Sequence, residues 1–279
     1  MRSAVISDQS RGVLISEFRN RRWRLLLLPL VGLLVWGATS SSIHFAEQAR
    51  YEPPSNFSAF TQKVREATYR IYCDGTSNGS AWGVRVDGQY FVVTNYHVVE
   101  DCGDATQFSV WNESTRGVSL SLFAADGRYW DPTEYEFRDL AVFATDTEIA
   151  SLNVNFSVPK VGEWVAVVGY PSDSSGENFF SITEGRITGL DDHGIVITDA
   201  AINGGNSGGP LVNSKGEVLG TVFASEDNGS FENMGYAQGI SLHCDVLYVC
   251  RNEVINDEVV EQPVLHDLEA SKEPQQQNG

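Results

Sequence analysis

The chain has 279 residues, 42% of them hydrophobic, with 26 glycines; this excludes a disordered polymer and allows one large domain or two small ones. Residues 1–24 carry six arginines against Asp8 and Glu17, so the remaining chain holds 13 basic and 35 acidic residues, a net charge of −22. A body of that sign disfavours nucleic acid and anionic membrane surfaces as partners and favours solubility.

An apolar run free of charge starts at Leu25 and continues through small or neutral residues to Ile43, directly after Arg19, Arg21, Arg22 and Arg24. Its 19 residues are enough to cross a thin bilayer. The arginines hold the 1–24 lead in the cytoplasm. Residues 25–43 are therefore expected to be a single-pass transmembrane anchor, or a signal peptide if cleavage occurs near Ala38 to Ser40. Either way the body is exported to the periplasmic or extracellular side, secreted in the second case. Residues 44–59, polar and containing Pro53-Pro54, read as a stalk.

A short helix is expected from Phe60 to Arg70, followed by short β-type runs bounded by glycine, asparagine and aspartate. Gly83 to Val86, the turn Asp87-Gly88 and Tyr90 to Thr94 form a hairpin pattern. Further strands are expected at Gln107 to Trp111, Val118 to Phe123 and Leu140 to Phe143. A turn at Lys160 to Glu163 divides these from a second series at Trp164 to Val168, Phe179 to Thr183, Gly185 to Thr188, Ile195 to Thr198, Leu211 to Val212 and Val218 to Phe223. So many evenly spaced strands predict an all-β barrel or sandwich. A last helix is expected around Cys244 to Arg251, and residues 256–279 form an acidic, disordered tail.

Four cysteines in an exported chain are compatible with two disulfides. Cys73 and Cys102 flank His97, so a bond between them would brace that segment. Cys244 and Cys250 remain; in one regular helix they would face apart, so their pairing requires an irregular backbone. No cysteine has metal-ligand spacing with a histidine, so no zinc site is read; no other metal and no cofactor is expected either.

The chemistry concentrates in Asn203-Gly204-Gly205-Asn206-Ser207-Gly208-Gly209-Pro210. Glycines permit a tight turn that presents the Ser207 hydroxyl while the backbone N–H groups of Gly205 and Ser207 face a developing oxyanion. A phosphate cradle is disfavoured, because no lysine adjoins the serine and Pro210 interrupts a helix there. The serine needs a base. Of His44, His97, His193, His243 and His266, only His97 ends an apolar strand, Val92-Val93-Thr94-Asn95-Tyr96-His97. A carboxylate that orients this base is sought between His97 and Ser207. Asp139, directly before the apolar run Leu140 to Phe143, suits the role, with Asp131 and Glu136 as competitors.

The order His97, Asp139, Ser207, set in Thr94-Asn95-Tyr96-His97-Val98-Val99, Asp139-Leu140-Ala141-Val142 and Thr198-Asp199-Ala200-Ala201-Ile202-Asn203 through Gly209-Pro210, resembles the trypsin-like serine proteases, and among them the HtrA/Deg protease domain. Val167-Val168-Gly169-Tyr170-Pro171 and Thr183-Glu184-Gly185-Arg186-Ile187 are similar to the start of that family's second barrel. The resemblance implies two six-stranded antiparallel β-barrels within residues 60–255, divided near 157/158, with the active site in the cleft between them. It implies a serine endopeptidase acting on protein or peptide substrates through an acyl-enzyme. It also implies a primary pocket lined by Ala201, Ile202, Asn203, Val222, Phe223 and Ala224. None of these is acidic, so small or aliphatic residues are expected before the cut bond.

Two departures stand out. HtrA-type enzymes usually carry a peptide-binding PDZ domain, for which the 29 residues after Cys250 are too few. Asn206 occupies the place of an aspartate that pairs with a new N-terminus in digestive members, so activation by that route is not expected. The rival reading is a non-enzymatic, membrane-tethered binding or chaperone-like module on the same fold.

Overall fold

The computed structural model describes residues 48–73, 76–102, 108–127, 138–173, 175–223, 234–244, 246–255 and 258–264, without the side chains of 76–78 and 249–264. The expected anchor at 25–43, and with it His44, Asp131, Glu136, Ala224 and His266, lies outside these residues. Among the described residues no helix is long and apolar enough to cross a membrane.

Asn56 starts helix α1 (Phe57–Glu66) by accepting the Ala59 N–H at 3.0 Å, a side-chain N-cap that satisfies one of the first turn's free donors. The expected extension to Arg70 does not occur. From Thr68 onward the side chains alternate between two packed environments, and strand β1 (Thr68–Cys73) begins there.

Five more strands follow: β2 (Thr76–Val86), β3 (Gln89–Thr94), β4 (Phe108–Trp111), β5 (Arg116–Asp126) and β6 (Leu140–Thr145). They close into an antiparallel barrel in the order β1-β2-β3-β6-β5-β4, with β1 and β4 sealing it. The β2–β3 hairpin turns at Asp87 and Gly88, both at positive φ, as its sequence demands.

The second series comprises β7 (Asn153–Val154), β8 (Trp164–Gly169), β9 (Ser181–Leu190), β10 (Ile195–Thr198), β11 (Pro210–Asn213), β12 (Glu217–Phe223) and β13 (Gly235–Gly239). Six of these make a ring in the order β11-β8-β9-β10-β13-β12, closed by the β11–β12 pairing, while β7 adds in parallel to β12. The fold is thus all-β with two six-stranded antiparallel barrels. The two strands expected at 179–183 and 185–188 are one continuous strand, β9. Gly185 does not turn the chain: a Cβ there would lie 2.4 Å from the Ala200 backbone nitrogen, so the glycine serves close packing.

The helix expected around Cys244 to Arg251 is absent. A 3-10 helix spans Ile240–His243, Cys244 is extended, and β14 (Val249–Ile255) follows. β14 pairs antiparallel with β15 (Glu258–Val264), a segment that composition alone assigns to the tail. Cys244 is disulfide-bonded and extended rather than helical, while the side chain of Cys250, its expected partner, lies outside the described ones.

Strand alternation here serves two cores at once. Tyr69, Ile71, Val92, Val110, Ala141 and Phe143 fill the first barrel; Val165, Val167, Val196, Leu211, Leu219 and Val222 fill the second. The intervening residues, among them Trp82, Phe91, Val93, Leu140, Val142, Trp164, Ala166 and Val168, pack together between the barrels with Phe60 and Val64 of α1. With both faces buried, β6 and β8 read as continuous apolar runs rather than polar–apolar alternation. Polar contacts cross the same interface: Trp82 Nε1 donates to Thr221 Oγ1 at 3.1 Å, and Thr221 Oγ1 lies 3.2 Å from His243 Nε2.

Candidate active site

The β3–β6 pairing sets Thr94 opposite Ala141, which brings the residues just after β3 beside the residue just before β6. Those residues are His97 and Asp139. The His97 backbone N–H donates to Asp139 Oδ1 at 2.8 Å, and His97 Nδ1 lies 2.6 Å from Asp139 Oδ2. Both carboxylate oxygens are therefore committed to one residue. Asp139 is 2% exposed, whereas the His97 side chain keeps 34% of its surface open. The Asp139 carbonyl is held in turn by Asn95 Nδ2 and Gln238 Nε2, each at 2.9 Å.

The segment following His97 turns tightly, with the Val99 and Glu100 N–H groups both donating to the Tyr96 carbonyl at 2.9 Å. The Cys73–Cys102 disulfide ties its far end to the end of β1. His97 is thus clamped on one side by the β3–β6 ladder and on the other by a covalent link. His193 sits apart in a turn closed by Asp191, and His243 is fully buried against Trp82, so neither belongs to this cluster.

Ser207 lies in the loop between β10 and β11, whose backbone is bonded to both barrels. The Ser207 carbonyl accepts the Ser80 N–H from β2 at 2.9 Å, Gly208 N–H donates to Val222 at 2.8 Å, and Val222 N–H returns to Gly209 at 2.8 Å. Gly208 has φ +84°, and a Cβ there would lie 2.1 Å from Ser80 O and 2.2 Å from Thr94 Oγ1, so no other residue fits. The same crowding brings the serine loop against the strand that ends just before His97. Gly79 sits between them: a Cβ there would meet Ser207 O at 2.9 Å and Val98 Cγ1 at 3.0 Å.

Gly205, at φ +92°, precedes Asn206. The Gly204 carbonyl accepts the Ser172 N–H at 3.0 Å. Because a trans peptide directs its C=O and N–H to opposite sides, the Gly205 N–H is turned away from Ser172. Asn206 is buried, with Oδ1 enclosed and without a hydrogen-bond partner among the described residues.

The residues expected to line a primary pocket divide into two groups. Ala201 and Asn203 are exposed and Ile202 is half-buried, with its Cδ1 2.4 Å from where a Gly235 Cβ would stand. Phe223 is half-buried and stacks on Tyr236, ring centroids 6.1 Å apart. The Val222 side chain instead belongs to the barrel core; Val222 reaches the serine loop through its backbone alone. Sequence reasoning misses Tyr236, Asn95, Gln238 and Ser80. Tyr236 and Gln238 lie on β13, whose run Gly-Tyr-Ala-Gln-Gly carries little strand signal; Asn95 falls inside the Thr94 to Val99 motif, just after β3, and Ser80 ends the polar half of β2, Thr76-Ser77-Asn78-Gly79-Ser80, where nothing local sets it apart.

A family model described as trypsin-like peptidase domain matches residues 79–220. A probable periplasmic serine endoprotease, DegP-like, from Halomonas elongata is 32% identical over 189 residues, covering 63% of this chain and 36% of the relative. The serine endoprotease DegS of Escherichia coli K12 is 29% identical over 208 residues, covering 67% of this chain and 55% of DegS. The chain thus spans between 36% and 55% of the length of these curated relatives. Among solved structures, the serine endoprotease from Yersinia pestis superposes with TM-score 0.53 at 24% identity, covering 73% of each chain. The HtrA-type protease AlgW with a bound tripeptide gives TM-score 0.53 at 25% identity, covering 67% of this chain and 60% of AlgW. With two closed barrels and the His97–Asp139 and Ser207 segments meeting between them, the chain belongs to the trypsin-like peptidase domain family.

Proposed function

We propose that the chain is a serine endopeptidase in which Ser207 is the nucleophile, His97 the general base and acid, and Asp139 the group that orients His97. The observation that carries this reading is the double engagement of Asp139 with His97, backbone N–H at 2.8 Å and Nδ1 at 2.6 Å. A buried carboxylate facing Nδ1 places the ring proton there, which leaves Nε2 as the lone pair able to take the serine proton. It also stabilises the imidazolium formed as Ser207 attacks the peptide carbonyl. His97 then returns the proton to the leaving amine, and water hydrolyses the acyl-enzyme by the same relay. The Gly205 and Ser207 N–H groups receive the carbonyl oxygen as it becomes negative; one such donor is worth about 10²- to 10³-fold in rate.

Ala201, Ile202, Asn203 and Phe223 frame the primary pocket, with Tyr236 stacked behind Phe223 and Val222 contributing backbone only. These side chains carry no charge, and Ile202 and the Phe223–Tyr236 pair take up volume. Cleavage therefore follows small or aliphatic residues. A peptide library read by mass spectrometry tests this; a profile dominated by arginine or lysine at the cut site would overturn it.

The protease domain takes in helix α1 and the Ala49–Tyr51 turn, which Arg186 holds through the Tyr51 carbonyl, so it begins earlier than the expected residue 60 and shortens the expected 44–59 stalk; it stands outside the cytoplasm, held by the 25–43 segment. Carbonate-resistant retention of the full chain in membranes supports the anchor, and release with the soluble fraction contradicts it. Activity itself is tested by digesting an unfolded protein with the wild type, Ser207→Ala and His97→Ala. Cleavage by the wild type alone supports the peptidase, whereas binding without cleavage by all three indicates a non-enzymatic module.

A further inference from the structure

Four hydrogen bonds converge on Ser80, a fully buried residue of β2. Its N–H donates to the Ser207 carbonyl at 2.9 Å, and its carbonyl accepts the Thr94 hydroxyl at 2.7 Å, three residues before His97. Its own hydroxyl donates to the Gly205 carbonyl at 2.6 Å and accepts the Tyr170 N–H at 2.8 Å. A hydroxyl has a single proton, Gly205 O can only accept and Tyr170 N–H can only donate, so the direction of both side-chain bonds is fixed.

We propose that Ser80 is a positioning residue for the oxyanion-binding backbone, a role that rests on the peptidase reading above. Gly204 and Gly205 have the conformational freedom to rotate their shared peptide, which would replace the Gly205 N–H by a carbonyl oxygen at the site. Two clamps oppose that rotation. Ser172 N–H holds the Gly204 carbonyl, and the Ser80 hydroxyl holds the Gly205 carbonyl, so the peptide planes on both sides of the Gly205 α-carbon are fixed. The second clamp originates in the other barrel, on the residue whose backbone also anchors Ser207 and the His97 strand. Ser80 thereby sets the donor in register with both reacting side chains.

The surroundings leave little for a substitute to use. A Cβ on Gly169 would lie 2.8 Å from Ser80 Oγ, so backbone crowds the hydroxyl closely. Replacement by alanine leaves the Gly205 carbonyl and Tyr170 N–H without their partner and frees the peptide to turn.

The test compares wild type, Ser80→Ala and Ser80→Thr at a temperature where circular dichroism shows each folded. It uses a peptide amide substrate and a peptide aldehyde, whose adduct with Ser207 places an oxyanion in the same donors. Ser80→Ala should lower kcat and weaken aldehyde inhibition by the same factor, about 10- to 100-fold, somewhat less than loss of a whole donor. KM should change by less than about threefold and the pH profile of kcat/KM should not move, because substrate contacts and His97 are untouched. Ser80→Thr keeps the hydroxyl but adds a methyl to a crowded site, so where it is folded it should retain more kcat and aldehyde affinity than Ser80→Ala. Unchanged kcat and aldehyde affinity in Ser80→Ala, or equal changes in KM and aldehyde affinity, would overturn the proposal while leaving the peptidase reading intact. A wild type without turnover would overturn both.

Discussion

Asp139→Asn changes one atom of a buried side chain and should nearly abolish activity. The backbone N–H of His97 can only donate, so it holds an oxygen at the present Oδ1 position, 2.8 Å away. The new NH₂ group must then occupy the Oδ2 position, 2.6 Å from His97 Nδ1. An NH₂ group there donates to Nδ1, which forces the ring proton onto Nε2, where the proton-accepting lone pair is needed. The wrong tautomer at such a site costs about 10⁴-fold in kcat, equivalent to about 5.5 kcal/mol of transition-state stabilisation. Because the Asp139 carbonyl contacts with Asn95 and Gln238 are unaffected, the fold should persist. Steady-state hydrolysis of a peptide substrate at neutral pH, with thermal melting as a control, measures the effect. A folded variant losing less than tenfold in kcat would refute the assigned role of Asp139.

Gly208→Ala meets Ser80 O and Thr94 Oγ1 at positive φ, so clash and backbone strain together should destabilise the protein by at least about 3 kcal/mol, read by chemical denaturation. Cys73 and Cys102 are 29 residues apart, so Cys73→Ser with Cys102→Ser should cost about 3.5 kcal/mol from unfolded-chain entropy, and activity should melt out before the rest of the fold. His243, fully buried with Arg138 nearby, is pushed down from 6.5 to about 3, chiefly by desolvation. Its neutral form belongs to the native state, so its contribution is complete above pH 6.5 and falls as acid protonates the unfolded chain. Between pH 7.5 and pH 5 the wild type should lose about 2 kcal/mol relative to His243→Gln, measured by denaturant unfolding at each pH.

Legibility in the sequence followed local chemistry. The Asp87-Gly88 hairpin and the strands beginning at Trp164 and Ile195 were readable because turn residues and apolar runs carry their own geometry. The glycine loop around Ser207 was readable because few other sequences tolerate such crowded backbone. Strand β13 was missed because Gly-Tyr-Ala-Gln-Gly earns its place through pairing with β10 and β12, and nothing local marks it. The helix expected at Cys244 to Arg251 failed for the converse reason: its residues are helix-compatible, but the 3-10 helix ends at His243, Cys244 is extended and β14 starts at Val249. Val222 was assigned to the pocket, yet period-two alternation along β12 turns its side chain into the barrel and leaves Phe223 on the other face. The carboxylate partner of His97 depended most on tertiary structure, since only the β3–β6 register brings Asp139 to it.

The central claim is that Ser207 is a nucleophile activated by His97. A fluorophosphonate probe incubated with the purified protein, followed by tryptic mapping, tests it most directly. The account predicts a single covalent adduct on Ser207, formed faster as His97 loses its proton with rising pH and lost in both Ser207→Ala and His97→Ala. No adduct on the folded wild type across that pH range, or an adduct on another residue that survives Ser207→Ala, would contradict it.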